Sequence, residues 1–207
     1  MGNWSGNERM QPASVDDLLL VHAMQEDMAN LAVPVLQAGS HINEHLFFAF
    51  LDGTGMDKNN PKLGPSSTVA YLHSQLATIA GHKHERVGGS YSKGIGTQSN
   101  DVLRNIDGAL ALTWDEGIIS AYEKLSIQVK DWFDENPDAQ IRFVSVGYSR
   151  GAVQAAGLAR LVDRFGILSN EGLSFGRDEH GNISAKSRGG VLVPPGQIPQ
   201  ASLLLDP

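Results

Sequence analysis

Ile141-Arg-Phe-Val-Ser-Val-Gly-Tyr-Ser-Arg-Gly151 is the stretch that decides how the chain folds. Its first six residues read as an apolar central strand, and Gly151 to Phe165 reads as a helix rich in Ala and Leu. Between them stands Gly147-Tyr-Ser-Arg-Gly151, the Gly-x-Ser-x-Gly pattern of a nucleophile elbow. A strand that turns directly into a helix bends so tightly that the serine takes a strained backbone conformation, and the positions two before and two after it must lack side chains. Gly147 and Gly151 meet that need. The turn also puts Ser149 at the amino end of a helix, where the Arg150 N–H points toward a developing oxyanion and the helix dipole favours negative charge. A glycine-flanked serine at an ordinary turn, binding phosphate or nothing, would carry the same five letters. The apolar strand before and the small-residue helix after favour the nucleophile.

Upstream, Leu46-Phe-Phe-Ala-Phe-Leu51 is a second apolar run, as expected of a strand buried on both faces, released into Asp52-Gly-Thr-Gly55. Apolar spacing predicts a helix over Ser67 to Ala80, a short strand over Arg86 to Ser92, and helices over Asp101 to Leu112 and Asp115 to Glu135. Downstream, Gly166 to Gln200 reads as irregular, with a hairpin turn at Asp178-Glu-His-Gly-Asn182, and Ala201-Ser-Leu-Leu-Leu205 reads as a further buried strand. Ser14 to Gln37 is expected to be an amphipathic helix capped by Ser14 and kinked before Pro34. Strands alternating with helices define an α/β fold with a mostly parallel sheet flanked by helices, because parallel neighbours need a crossover that a helix supplies. About four strands are legible, and the last, with three consecutive leucines, would stand at an open edge. The sheet is therefore expected to be incomplete in this chain.

The balance of charge and residue types narrows the functional classes. With 207 residues the chain can bury a sizeable core, and with no cysteine it can hold neither a disulfide framework nor a thiolate metal site. A net charge of −7 with scattered basic residues argues against a nucleic-acid backbone binder. No stretch approaches the ~20 apolar residues that span a bilayer, and the polar first eleven residues lack the pattern of a cleavable signal peptide. No metal-ligand cluster or cofactor motif is visible, so neither a metal nor a cofactor is expected.

Acyl transfer needs a second oxyanion donor, a base, and a carboxylate to orient the base. The loop Asp52-Gly-Thr-Gly55 leaves its strand at the same sheet edge as Ser149, which offers the backbone N–H of Gly53 or Thr54 as the donor. Asp52 would equally serve as the cap of a glycine turn. Asp206, immediately after the last strand and on that same edge, is the candidate acid. No histidine follows it. His180 lies in a polar turn, and His41, His45, His73, His82 and His84 read as surface or packing residues, so the histidine is expected outside this chain.

Leu46-Phe-Phe-Ala-Phe-Leu-Asp-Gly-Thr54, Tyr91-Ser-Lys-Gly-Ile-Gly-Thr97, Val146-Gly-Tyr-Ser-Arg-Gly-Ala152 and Leu204-Leu-Asp-Pro207 together resemble the successive motifs of the DUF2235 group of α/β-hydrolases. That group includes the Tle1-type lipase effectors of bacterial type VI secretion. The resemblance implies an α/β-hydrolase-like fold with Ser149 as nucleophile and Asp206 as acid. It also implies hydrolysis of phospholipid or a related ester at a membrane surface, an antibacterial role after synthesis in the bacterial cytoplasm and delivery into target cells, and a cognate immunity protein. Residues 1–40 are then a helical extension, and 41–207 the N-terminal portion of the hydrolase domain, completed by a second polypeptide or a longer chain. Three other readings stay open: a small cutinase-like esterase, which should carry its histidine beyond the acid; a peptidase or acyltransferase, since acyl-enzyme chemistry does not fix the acceptor; and a catalytically inactive α/β module that works by binding other proteins.

Overall fold

The computed structural model describes residues 14–30, 42–60, 66–83, 86–94 and 107–207. The chain divides into two compact units, 1–35 and 36–207. The first holds α1 (Val15–Ala29), whose cap is reciprocal. Ser14 Oγ accepts from the Asp17 N–H at 3.1 Å, while the Asp17 carboxylate accepts from the Ser14 N–H at 2.9 Å. Its Val15, Leu18, Leu19, Leu20 and Val21 are all exposed. The expected continuation to Gln37, with its kink before Pro34, lies outside the described residues.

The second unit begins with β1 (Glu44–Leu51), α2 (Thr68–Lys83), β2 (Val87–Ser92) and α3 (Asp107–Glu135). It continues through β3 (Gln140–Tyr148), α4 (Arg150–Phe165), β4 (Ile167–Leu168), β5 (Ser174–Arg177), β6 (Ile183–Lys186), β7 (Val191–Val193) and β8 (Gln200–Leu205). The main sheet has the order β2-β1-β3-β8 and every pairing in it is parallel, which makes this the α/β fold that strand-helix alternation predicts.

Alternation along each strand sends side chains to opposite faces. Phe47, Ala49, Leu51 and Phe143 pack with Tyr122, Leu125 and Trp132 of α3 and Leu158 of α4. Phe48, Phe50, Val144 and Val146 pack with Val69, Leu72 and Leu76 of α2. β1 is buried on both sides, as its unbroken apolar run requires. The chain leaves β1 toward α2 on one face and leaves β3 toward α4 on the other. Neighbouring loops that part in this way open a crevice at the carboxyl edge, at the switch point of the strand order.

Three expectations need correction. The helices expected at Asp101 to Leu112 and Asp115 to Glu135 are one continuous α3 from Asp107, residues 101–106 lying outside the described residues. Asp115, read as a helix start, is instead spent on an ion pair with Arg177 of β5. The span Gly166 to Gln200 is not irregular throughout: β4 pairs with β7, and β5 with β6, in two small antiparallel sheets, the second closed by the expected turn at Asp178 to Asn182. β8 stands at an edge of the sheet, as expected, but it is not the buried strand it was read as, with Leu203 46% and Leu204 41% exposed.

One buried hydroxyl ties α3 to the chain after α4. Tyr122 OH donates to the Gly166 carbonyl at 2.9 Å and accepts from the Leu168 N–H at 3.1 Å, and burial pushes its phenol up to about 12. Tyr122→Phe strands a buried N–H and a buried carbonyl, so the urea midpoint should fall by an amount worth ~1–3 kcal/mol with an unchanged m-value.

Candidate active site

Ser149 sits between β3 and α4 with φ 53 and ψ −128, and Asp206 with φ 46 is the other non-glycine residue at positive φ among the described residues. L-residues rarely adopt this region, and they hold it only where the surroundings dictate it. Here the surroundings are glycine. A Cβ on Gly147 would lie 2.2 Å from the Gly151 carbonyl oxygen, and one on Gly151 would lie 2.3 Å from the Leu51 oxygen and 2.5 Å from the Asp52 oxygen. Both elbow glycines are thus required by backbone, which cannot yield as a flexible side chain can. Gly151→Ala should destabilise the fold by about 3 kcal/mol or more, read from its denaturant midpoint, because β1 and α4 must part to admit one methyl.

Asp206 reaches the same edge by register. Tyr148 of β3 pairs with Leu205 of β8, and the Ser149 N–H donates to the Leu205 carbonyl at 2.9 Å. The serine and the carboxylate therefore leave adjacent strands at one level. Asp206 is exposed and Ser149 half-buried.

The loop after β1 is organised by Asp52, whose side chain is buried and fully engaged. One carboxylate oxygen accepts from the Gly53 N–H at 2.8 Å. The other accepts from Ser67 Oγ at 2.7 Å and from Tyr91 OH at 2.6 Å. Ser67 Oγ also accepts from the Ala70 N–H and caps α2, so one hydroxyl joins the loop to the helix. Burial and then the Asp52 carboxylate hold the Tyr91 phenol above its ordinary value, which keeps it a donor. With its N–H committed to Asp52, Gly53 is the weaker of the two candidate donors, and the Thr54 N–H makes no hydrogen bond to the described residues. The Arg150 Nε–H donates to Thr54 Oγ1, so the two loops touch directly at the residues singled out for the oxyanion. The Arg150 N–H opens α4 and is one of the helix's amides without an intrahelical carbonyl.

Sequence reading did not single out Ser67, Tyr91 or Gly94 for this site. A Cβ on Gly94 would lie 1.6 Å from the Gly53 oxygen, so β2 ends hard against the same loop. The signals were a helix-start serine and the Tyr91-Ser-Lys-Gly94 stretch, but nothing in one dimension links them to Asp52.

No histidine among the described residues hydrogen-bonds to Ser149 or Asp206. His45 packs on Trp132 at the start of β1, its Nδ1–H donating to the Asn43 carbonyl, and exposed His180 pairs with Glu179 in the β5–β6 turn. His73 lies between the rings of Phe50 and Tyr91. Burial, then the charges of Lys58 and Lys124, push His73 below its ordinary value, so it is neutral and its Nδ1 accepts from the Lys58 ammonium at 2.7 Å. His82 lies in the last turns of α2, and His41 and His84 lie outside the described residues. No group of three or more metal-ligating side chains occurs among the described residues.

Parallel sheet, switch-point crevice and a serine at positive φ on a strand-to-helix turn together define an α/β fold built around its Gly-x-Ser-x-Gly loop. The chain belongs to the family described as T6SS, phospholipase effector Tle1-like, catalytic domain, which matches residues 47–180. The resemblance to Tle1-type effectors is borne out, and the family is one of phospholipase effectors of type VI secretion. The matched stretch takes in Gly53, Thr54 and the whole elbow and stops short of Asp206. Comparison with curated proteins and with solved structures gave no match. Among the described residues, no helix is long and apolar enough to cross a membrane.

Proposed function

We propose that this domain cleaves phospholipid by serine acyl-enzyme chemistry. Ser149 Oγ attacks the acyl carbonyl, a histidine from outside this chain takes its proton and passes it to the leaving alcohol, and Asp206 orients that imidazole. The Arg150 N–H and the Thr54 N–H, with Gly53 as the alternative, hold the oxyanion. Water then attacks the acyl-enzyme and releases the fatty acid. In this reading residues 1–40 are a helical extension, and residues 41–207 are the N-terminal portion of an α/β-hydrolase domain completed by a second polypeptide or a longer chain. Hydrolysis of a rival bacterium's membrane lipid is the antibacterial act, and an immunity protein shields the producer.

The observation that carries the reading is the positive φ of Ser149, enforced by two glycines that approach backbone oxygens too closely to bear a side chain. Strain of this kind is retained where a side chain must be thrust out of the fold. The alternative reading is a binding module without catalysis. Fluorophosphonate labelling of the complete protein, followed by peptide mapping, separates the two. A stoichiometric adduct on Ser149 is the expected result. Hydrolytic activity with no adduct there would sink the serine mechanism.

A further inference from the structure

We infer that a second ligand site lies between α3, α4 and the β5–β6 hairpin. It takes a single-chain anionic amphiphile, with an acid head on Arg160 and an alkyl chain along Trp114, Ile118, Leu161 and Ile183. These residues line a cavity of about 320 Å³, at the lower end of the roughly 300–1,000 Å³ of small-molecule sites. Arg160 stands eleven residues beyond Ser149 on α4, roughly 16 Å along the axis at 1.5 Å per residue, so the cavity is separate from the elbow.

Three guanidiniums line the cavity; two are paired, and the third, Arg160, is exposed. Arg164 donates to Asp178 at 2.7 Å, and Arg177 pairs with Asp115. The Arg164 guanidinium first, then the N–H donors of Asn182 and His180, hold the Asp178 carboxyl well below the usual range, so this pair is ionised at any physiological pH. Arg160 has no acidic partner among the described residues, and arginine does not shed its charge. It also sits one turn from Arg164, an i,i+4 arrangement of like charges that a helix tolerates at a small cost. An oxyanion received there gives Arg160 a partner, and the planar fork of a guanidinium suits a carboxylate or a phosphate.

The apolar wall supplies the other half. Trp114, Ile118, Leu161 and Ile183 line the cavity, and Gly157 lies beside them in mid-helix, where glycine costs about 1 kcal/mol relative to alanine. A Cβ there would press to 3.0 Å from Ile118 Cδ1. The glycine thus keeps room that a side chain would take. Fatty acids and lipid phosphate monoesters share this chemistry, an oxyanion on a flexible chain. The inference does not depend on Ser149 being a nucleophile.

The test is calorimetric titration of the full chain with laurate and with dodecyl phosphate, below their micelle-forming concentrations. Inorganic phosphate and neutral dodecyl maltoside serve as comparators. One saturable site is expected for at least one of the two acids, at least about tenfold tighter than for either comparator. Whichever acid binds better identifies the head group. Arg160→Ala should weaken that binding at least about tenfold, and Arg160→Lys should restore part of it. Protein carrying a fluorophosphonate on Ser149, or Ser149→Ala where no label attaches, should bind as well as the parent. In the complete protein, hydrolytic activity without a label on Ser149 sinks the serine mechanism and leaves this site standing. The site is overturned by equal binding to Arg160→Ala, by equal binding of the neutral detergent, by loss of binding on Ser149 labelling, or by no saturable binding of either acid.

Discussion

Replacing Ser149 with alanine should lower phospholipid hydrolysis by the complete protein about 10⁴-fold or more, with the fold intact. Only Oγ is lost. Alanine bears the same Cβ at φ 53, so the backbone strain is unchanged and stability should move by no more than about 0.5 kcal/mol. What disappears is the atom that forms the covalent bond. Without it the base and the oxyanion donors have no partner in the first step, and only positioning and oxyanion stabilisation of attacking water remain. Turnover of a fluorogenic phospholipid and thermal denaturation, measured together, check both halves. A variant that keeps a tenth of the parental rate refutes the assignment.

Asp206→Asn should cost about 10³–10⁴-fold in turnover. The substitution suits this site because Asn tolerates positive φ much as Asp does, so the loop after β8 keeps its shape at φ 46. The charge is what goes. An amide in place of the carboxylate no longer stabilises the imidazolium and lets the ring settle in the wrong tautomer. The loss should therefore fall on turnover more than on KM, and the pH profile should shift as the base loses its anionic partner. A merely structural Asp206 would show neither change, only a lower melting temperature.

The parts of the fold that could be read from one dimension are those that a local pattern dictates. Leu46 to Leu51 and Ile141 to Val146 are apolar runs bounded by glycine-bearing turns, and both became central strands because no other arrangement buries both their faces. The elbow was legible because tight turning imposes a steric demand on two fixed positions. β2 was harder, since its Gly88-Gly89 pair reads as a breaker. There α2 and α3 approach so closely that a Cβ on Gly89 would lie 2.7 Å from Leu76, and one on Gly88 would lie 3.1 Å from Trp132. The unity of α3 was missed because Asp115 looks like a helix start until Arg177, 62 residues on, is seen to claim it. The Asp52 hub eluded prediction for the same reason. Its donors come from positions 67 and 91, and only the folded chain brings them to one carboxylate.

Among the described residues β8 pairs on one side only, with β3, and it delivers Asp206 to the crevice from that position. A terminal strand is held by one ladder of hydrogen bonds and frays more readily than a strand bonded on both flanks. Ser149 follows β3, which is bonded on both flanks, whereas Asp206, its proposed acid, rides on an edge rung. Whatever comes to lie along the outer rim of β8 would brace that rung, and in doing so would decide whether the carboxylate stands ready or drifts.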